Sequence, residues 1–169
     1  MSMMQAVLAE FEHEAATTRR LLERVPDDRF DWKPHEKSMS LLQLTTHLAD
    51  MPGWMAVVGP QDELDLATPM DRPEPPKTTE ELLSRYDQNV ETFKTVGAQV
   101  KDETLGDPWT LRTGDEVHFQ IPRVASIRTF ILNHFVHHRG QLSVYLRLLD
   151  VPLPSIYGPS ADEEGFGGG

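Results

Sequence analysis

Asn133-His134-Phe135-Val136-His137-His138-Arg139-Gly140-Gln141 is the stretch whose reading decides how this chain folds. It lies within Val124 to Asp150, where Phe130, Ile131, Phe135, Leu142, Leu146 and Leu149 form a wide apolar arc at helical spacing. Residues four apart in a helix stand one above the other, with β-carbons about 6 Å apart. His134 and His138 can therefore aim their imidazoles at one point, and Gln141 and Tyr145 continue the same stripe. Two imidazoles one turn apart make half of a divalent-metal site. The third ligand must come from elsewhere, and His47 is the best candidate. The competing reading is a hydrogen-bonded pair of core or interface histidines, and seven histidines in the chain keep chance spacing in play. His137 projects about 100° away around the helix, so it is expected outside the site. Gly140 costs a helix about 1 kcal/mol relative to alanine, which suggests close approach of a backbone or ligand there.

Upstream, Met4, Val7, Leu8, Phe11, Ala15, Leu22 and Val25 recur at helical spacing until Pro26-Asp27-Asp28 stops them, with His13 on the polar face. Ser40-Leu41-Leu42-Gln43 fits a capping box opening a second helix towards Val58. That helix carries Gln43, His47, Asp50 and Trp54 on one stripe. Pro52-Gly53 predicts either a kink just after His47 or an early end. Gly59 to Lys77, with five prolines, reads as a long crossover or lid that allows helices two and three to run parallel. Thr78-Thr79-Glu80-Glu81 is a second capping box, before an apolar stripe from Leu82 to Val100. Trp109–Arg112 and Val117–Ile121 alternate around a glycine-containing turn, which predicts a short β-hairpin before helix four. The tail after Pro152 is not helical in pattern. Its apolar residues are expected to pack back on the bundle, and the terminal Gly-Phe-Gly-Gly-Gly to fray.

Composition narrows the function classes. At 169 residues the chain suits one domain, residues 1–169. It has no cysteine, which rules out disulfides, thiolate ligands and a cysteine nucleophile, so thiol chemistry would need a thiol supplied as a cofactor. A net charge of −11 with no lysine–arginine run argues against nucleic-acid partners. No apolar stretch approaches membrane-span length, and the amino terminus lacks a signal-peptide pattern. A cytoplasmic location is the expectation.

The chain resembles the DinB/YfiT-like family of metalloenzymes. The resemblance rests on Trp32-Lys33-Pro34-His35 leading to Ser40, on His47 with Trp54, on His134-Phe135-Val136-His137-His138-Arg139-Gly140-Gln141, and on Ile156-Tyr157-Gly158-Pro159. It implies an all-α fold, an up-down-down-up four-helix bundle, that commonly forms homodimers. It also implies a metal triad of His47, His134 and His138. Three neutral imidazoles leave open coordination positions, as in catalytic zinc sites. Zinc or nickel suits such nitrogens, and iron or manganese is compatible. Such a metal acidifies a bound water or thiol, and similar proteins include thiol S-transferases using bacillithiol or mycothiol. The expectation is a metal-dependent thiol S-transferase or hydrolase acting on a small electrophile, with Gln43, Asp50, Gln141 and Tyr145 orienting ligands or substrate. No residue stands out as a catalytic base. The rival readings are a non-catalytic, stress-associated metal-binding dimer and a metal-free small-molecule binder.

Overall fold

The structure is a computed structural model, and it describes residues 2–70 and 73–164. Helix α1 (Met3–Leu22) opens on Ser2, whose hydroxyl accepts from the Gln5 N–H while the Gln5 side chain accepts from the Ser2 N–H. It buries Met4, Val7, Phe11, Ala15, Leu21 and Leu22, and His13 is exposed. Helix α2 (Leu41–Asp50) begins at the expected Ser40–Gln43 capping box. The α-helix then stops, tightens into a 3₁₀ turn over Met51–Trp54, and resumes for one turn at Met55–Val58. Pro52 has no N–H to offer the Leu48 carbonyl. Asn89 supplies a replacement donor to the neighbouring Ala49 carbonyl at 2.9 Å. Gly53 permits that approach, because a β-carbon there would lie 2.6 Å from Asn89 Oδ1.

Helix α3 (Thr79–Gly97) starts at Thr78, whose hydroxyl accepts from the Glu81 N–H. The expected box does not close on itself: the Glu81 carboxylate accepts instead from the Lys77 N–H. Helices α1 and α2 each pack against α3 and against the last helix, and the core lies between them. The last helix, α4, consists of an α-helical turn Arg123–Ser126, a π-helical turn Ile127–Asn133 and the α-helical stretch His134–Leu148.

The molecule is mostly helical, not all-α. The hairpin is present as β2 (Pro108–Thr113) and β3 (Glu116–Pro122), turning at Gly114 with φ 56°. A third strand, β1 (Glu63–Asp65), lies within the proline-rich crossover and pairs parallel to β2, giving the order β1-β2-β3. Three residues are too few to show an alternating pattern. Charge also ties β1 down: Arg112 of β2 reaches Glu63 and Asp65, each at 2.6 Å. The hairpin packs against α4 through Trp109 and Phe119, whose rings stand 5.9 and 5.1 Å from that of Phe130.

The tail does return to the bundle, with Pro154 and Ser155 buried and Val151 and Leu153 against the core. Polar contacts hold it as well: Arg20 and Arg24 both pair with Glu163. The expected fraying falls on residues 165–169, outside the described residues.

Gly140 corrects the sequence reading. It is exposed, and a β-carbon there would meet nothing within 4 Å, so no close approach explains it. Gly140→Ala is therefore expected to stabilise the protein by about 1 kcal/mol in urea unfolding, through helix propensity alone. A destabilised variant would show that the position is covered in solution.

Candidate metal centre

His47 lies on the last full turn of α2, and His134 is the first α-helical residue after the π turn of α4. His138 follows one turn later and is 7% exposed, while His47 and His134 are half-buried. The three side chains converge. His134 Nε2 stands 2.8 Å from His138 Nε2 and 3.5 Å from His47 Nε2. One ligand atom from each lies within 4.8 Å of the others, so the group could hold a metal ion. Three nitrogens about 2.0–2.1 Å from a tetrahedral zinc stand about 3.3 Å apart, close to these separations.

The donor chemistry fits a cation. His138 Nδ1 is 2.7 Å from Gln141 Oε1, an acceptor, so the ring proton sits on Nδ1 and the Nε2 lone pair faces the cluster. His134 is likewise hydrogen-bonded to the Phe130 backbone, which favours a proton on the ring nitrogen away from the cluster. Two imidazole lone pairs facing each other at 2.8 Å repel unless a positive charge lies between them.

Burial keeps the rings neutral. It pushes His138 down to about 4, against the Gln141 hydrogen bond and with help from His134, His47 and His137. Burial also lowers His47, assisted by His134 and opposed by Asp50. His134 is lowered by burial against the Phe130 hydrogen bond. Free imidazoles titrate near 6.5, so the unfolded chain takes up protons first as pH falls. The histidine contribution to metal-free stability is thus complete above about pH 6.5 and declines towards pH 4. For His138 alone the expected loss between pH 7 and pH 5 is roughly 2 kcal/mol. Urea unfolding with a chelator present checks this, and a His138→Gln variant should lose much of the slope.

The remaining sequence candidates scatter. Gln43 is exposed, and its side chain accepts from the Ser40 N–H in the cap. Asp50 is held by Arg85 through two bonds of 2.5 and 2.7 Å, and Arg85 also donates to the Glu74 carbonyl of the crossover. Tyr145 donates to the Met39 carbonyl and meets Trp32 edge-on at 5.6 Å. Gln141 contacts a histidine of the triad directly. His137 is exposed, its ring 4.9 Å from that of His138 and apart from the triad. Trp54, set by the 3₁₀ turn, walls the site, with its ring 5.5 Å from His47 and 5.6 Å from His134.

Next to His138 along α4, Arg139 is 1% exposed and pairs with Glu14 of α1 at 2.6 Å. Tyr157 of the tail joins them, its hydroxyl 2.5 Å from Arg139 and 2.9 Å from Glu14. Sequence reasoning missed this triad. The signal was Glu14 within the apolar stripe Phe11, Ala15, Leu22, since a carboxylate on a buried face needs a cation.

A family model described as the DinB family matches residues 1–165. The chain belongs to the DinB family. A relative, the uncharacterized protein YrdA of Bacillus subtilis (strain 168), is 26% identical over 160 residues, covering 92% of this chain and 89% of that protein. Among solved structures, the DinB-like YjoA of Bacillus subtilis superposes with a TM-score of 0.68 at 20% identity, over 88% of this chain and 95% of that one. A DinB-like protein of Bacillus cereus gives 0.67 at 20% identity, over 89% and 95% of the two chains. A DinB-family member from Exiguobacterium sibiricum gives 0.61 at 22%, over 91% and 97%. At these identities the structural matches establish the DinB-like fold alone. Among the described residues, no helix is long and apolar enough to cross a membrane.

Proposed function

We propose that this chain is a divalent-metal-dependent enzyme, a thiol S-transferase or hydrolase acting on a small electrophilic substrate. The observation that carries the reading is the convergence of three imidazoles, His47, His134 and His138, kept neutral by burial, with the His138 ring proton held away from the cluster by Gln141. Three nitrogen ligands leave coordination positions open, as catalytic sites require. Zinc or nickel is the expected metal, and its Lewis acidity lowers the pKa of a water or thiol at neutral pH. Because the chain has no cysteine, a transferase needs a low-molecular-weight thiol as co-substrate.

In this reading Gln141 fixes the tautomer and orientation of His138, and Trp54 shields one side of the site. Gln43, Asp50 and Tyr145 act on substrate only from further out. A homodimer, an up-down-down-up course of the helices and a cytoplasmic location complete the proposal. The long crossover and the family membership support the topology, and the charge of −11 argues against nucleic-acid partners.

The test is a panel of electrophiles assayed with tag-free protein loaded with zinc or nickel, with low-molecular-weight thiols and with water alone, beside His47→Ala. Turnover that needs both metal and thiol supports the transferase, and turnover in water alone supports the hydrolase. Stoichiometric metal with no turnover would leave a metal-stabilised bundle. Failure to bind metal at all would leave the fold without this function.

A further inference from the structure

The ligand helix α4 departs from α geometry immediately before His134, where Ile127–Asn133 forms a π-helical turn. Such turns are rare and occur often at functional sites. Here the burial pattern gives a physical reason. Arg123, Ile127, Ile131, Phe135 and Arg139 are all buried, at strict intervals of four. In an α-helix each step of four overshoots a full turn by about 40°, so four steps would carry Arg139 about 160° around from Arg123. A π turn is wider and takes back part of that drift.

Both ends of the segment are fixed from outside. Arg123 donates to the Val58, Gly59 and Gln61 carbonyls and to Asp62, closing off the end of the second helical rod. Arg139 is fixed by its buried pair with Glu14. Between them the hairpin grips the π turn through Phe119 stacked on Phe130 at 5.1 Å. The π turn also packs against the 3₁₀ turn Met51–Trp54 that follows His47. Both ligand helices thus leave α geometry beside the site, one after His47 and the other just before His134.

We propose that the π turn Ile127–Asn133, gripped by the hairpin at Phe130, is the positioning element of the three-histidine site, reconciling the anchors at Arg123 and Arg139 so that His134 and His138 face His47. This rests on the metal-site reading for its consequence, but its geometry can be tested without metal. Inserting an alanine after Thr129, which is exposed, adds a residue beyond the one the π turn absorbs and turns the two ends of α4 by about 100° relative to each other.

The experiment compares wild type, the alanine insertion after Thr129, Phe119→Ala and Phe119→Tyr. It uses zinc titration together with nuclear Overhauser contacts among the three imidazoles in metal-free protein, where ring centroids stand 4.6–5.1 Å apart. The insertion variant, folded by circular dichroism, is expected to bind zinc at least tenfold more weakly and to lose the contacts from His47 to His134. Phe119→Ala is expected to weaken binding severalfold and Phe119→Tyr to restore it, which a general loss of stability would not reproduce. Wild-type affinity and contacts in a folded insertion variant would overturn the proposal. If the insertion variant does not fold, unchanged affinity and contacts in Phe119→Ala would overturn it instead. If wild type binds no zinc, the metal reading fails and the imidazole contacts alone decide the positioning claim.

Discussion

Arg139→Ala is expected to lower unfolding free energy by about 3–5 kcal/mol, the usual cost of leaving one partner of a buried ion pair uncompensated. The guanidinium lies 2.6 Å from Glu14, donates to the Glu14 backbone carbonyl, and has the Tyr157 ring 4.9 Å from its carbon. Its removal leaves the buried Glu14 carboxylate without its cation and takes from Tyr157 one of its two partners. Removing the charge on both sides should be far milder, because apolar pairs of similar volume often match buried ion pairs. Arg139→Met with Glu14→Leu is therefore expected to recover most of the loss. Urea unfolding of the two single variants and the double variant gives the coupling directly. A loss below about 1 kcal/mol for Arg139→Ala would mean that water reaches the pair.

The second large effect is on metal. His138→Ala and His47→Ala are each expected to abolish stoichiometric zinc or nickel in tag-free protein. Losing one of three ligands should weaken binding by more than the roughly 10–100-fold that follows from removing a residue that only orients a ligand. Gln141→Leu removes such an orienting acceptor and should fall within that range. Unfolding does not account for this pattern, since the metal-free protein should tolerate His138→Ala well: the substitution relieves lone-pair repulsion and the burial of a polar ring. The check is elemental analysis and titration alongside melting of the chelated protein. Unchanged metal content in His138→Ala would refute the site.

Much of the site was legible because it is local. His134 and His138 sit four apart on an apolar helix, and His47 was the candidate third ligand that the resemblance also implied. Gln141 lay on the same stripe, but its bond to His138 needed coordinates. Gly140 misled for a plain reason: a glycine in a helix signals either a close neighbour or nothing, and here a β-carbon would meet only open space. The π turn was written in the sequence as Ile127, Ile131 and Phe135, yet a spacing of four falls within what an ordinary amphipathic helix shows. Only the buried arginines at both ends of the series expose the underwinding. Strand β1 was not legible at all, since three residues among prolines carry no period and its partner lies far along the chain.

What the sequence by itself determined are the features set within a few residues: the caps at Ser40 and Thr78, the turn at Gly114, the break at Pro52, and the histidine pair one helical turn apart. Backbone sterics and short-range hydrogen bonds decide these wherever the segment sits. The tertiary structure alone decided which distant groups meet. His47 reaches His134 across 87 residues, Arg139 finds Glu14 across 125, and Arg112 gathers β1 into the sheet. Those encounters depend on how four helices and a hairpin pack around one core, where burial makes each unpaired polar group costly enough to select its partner.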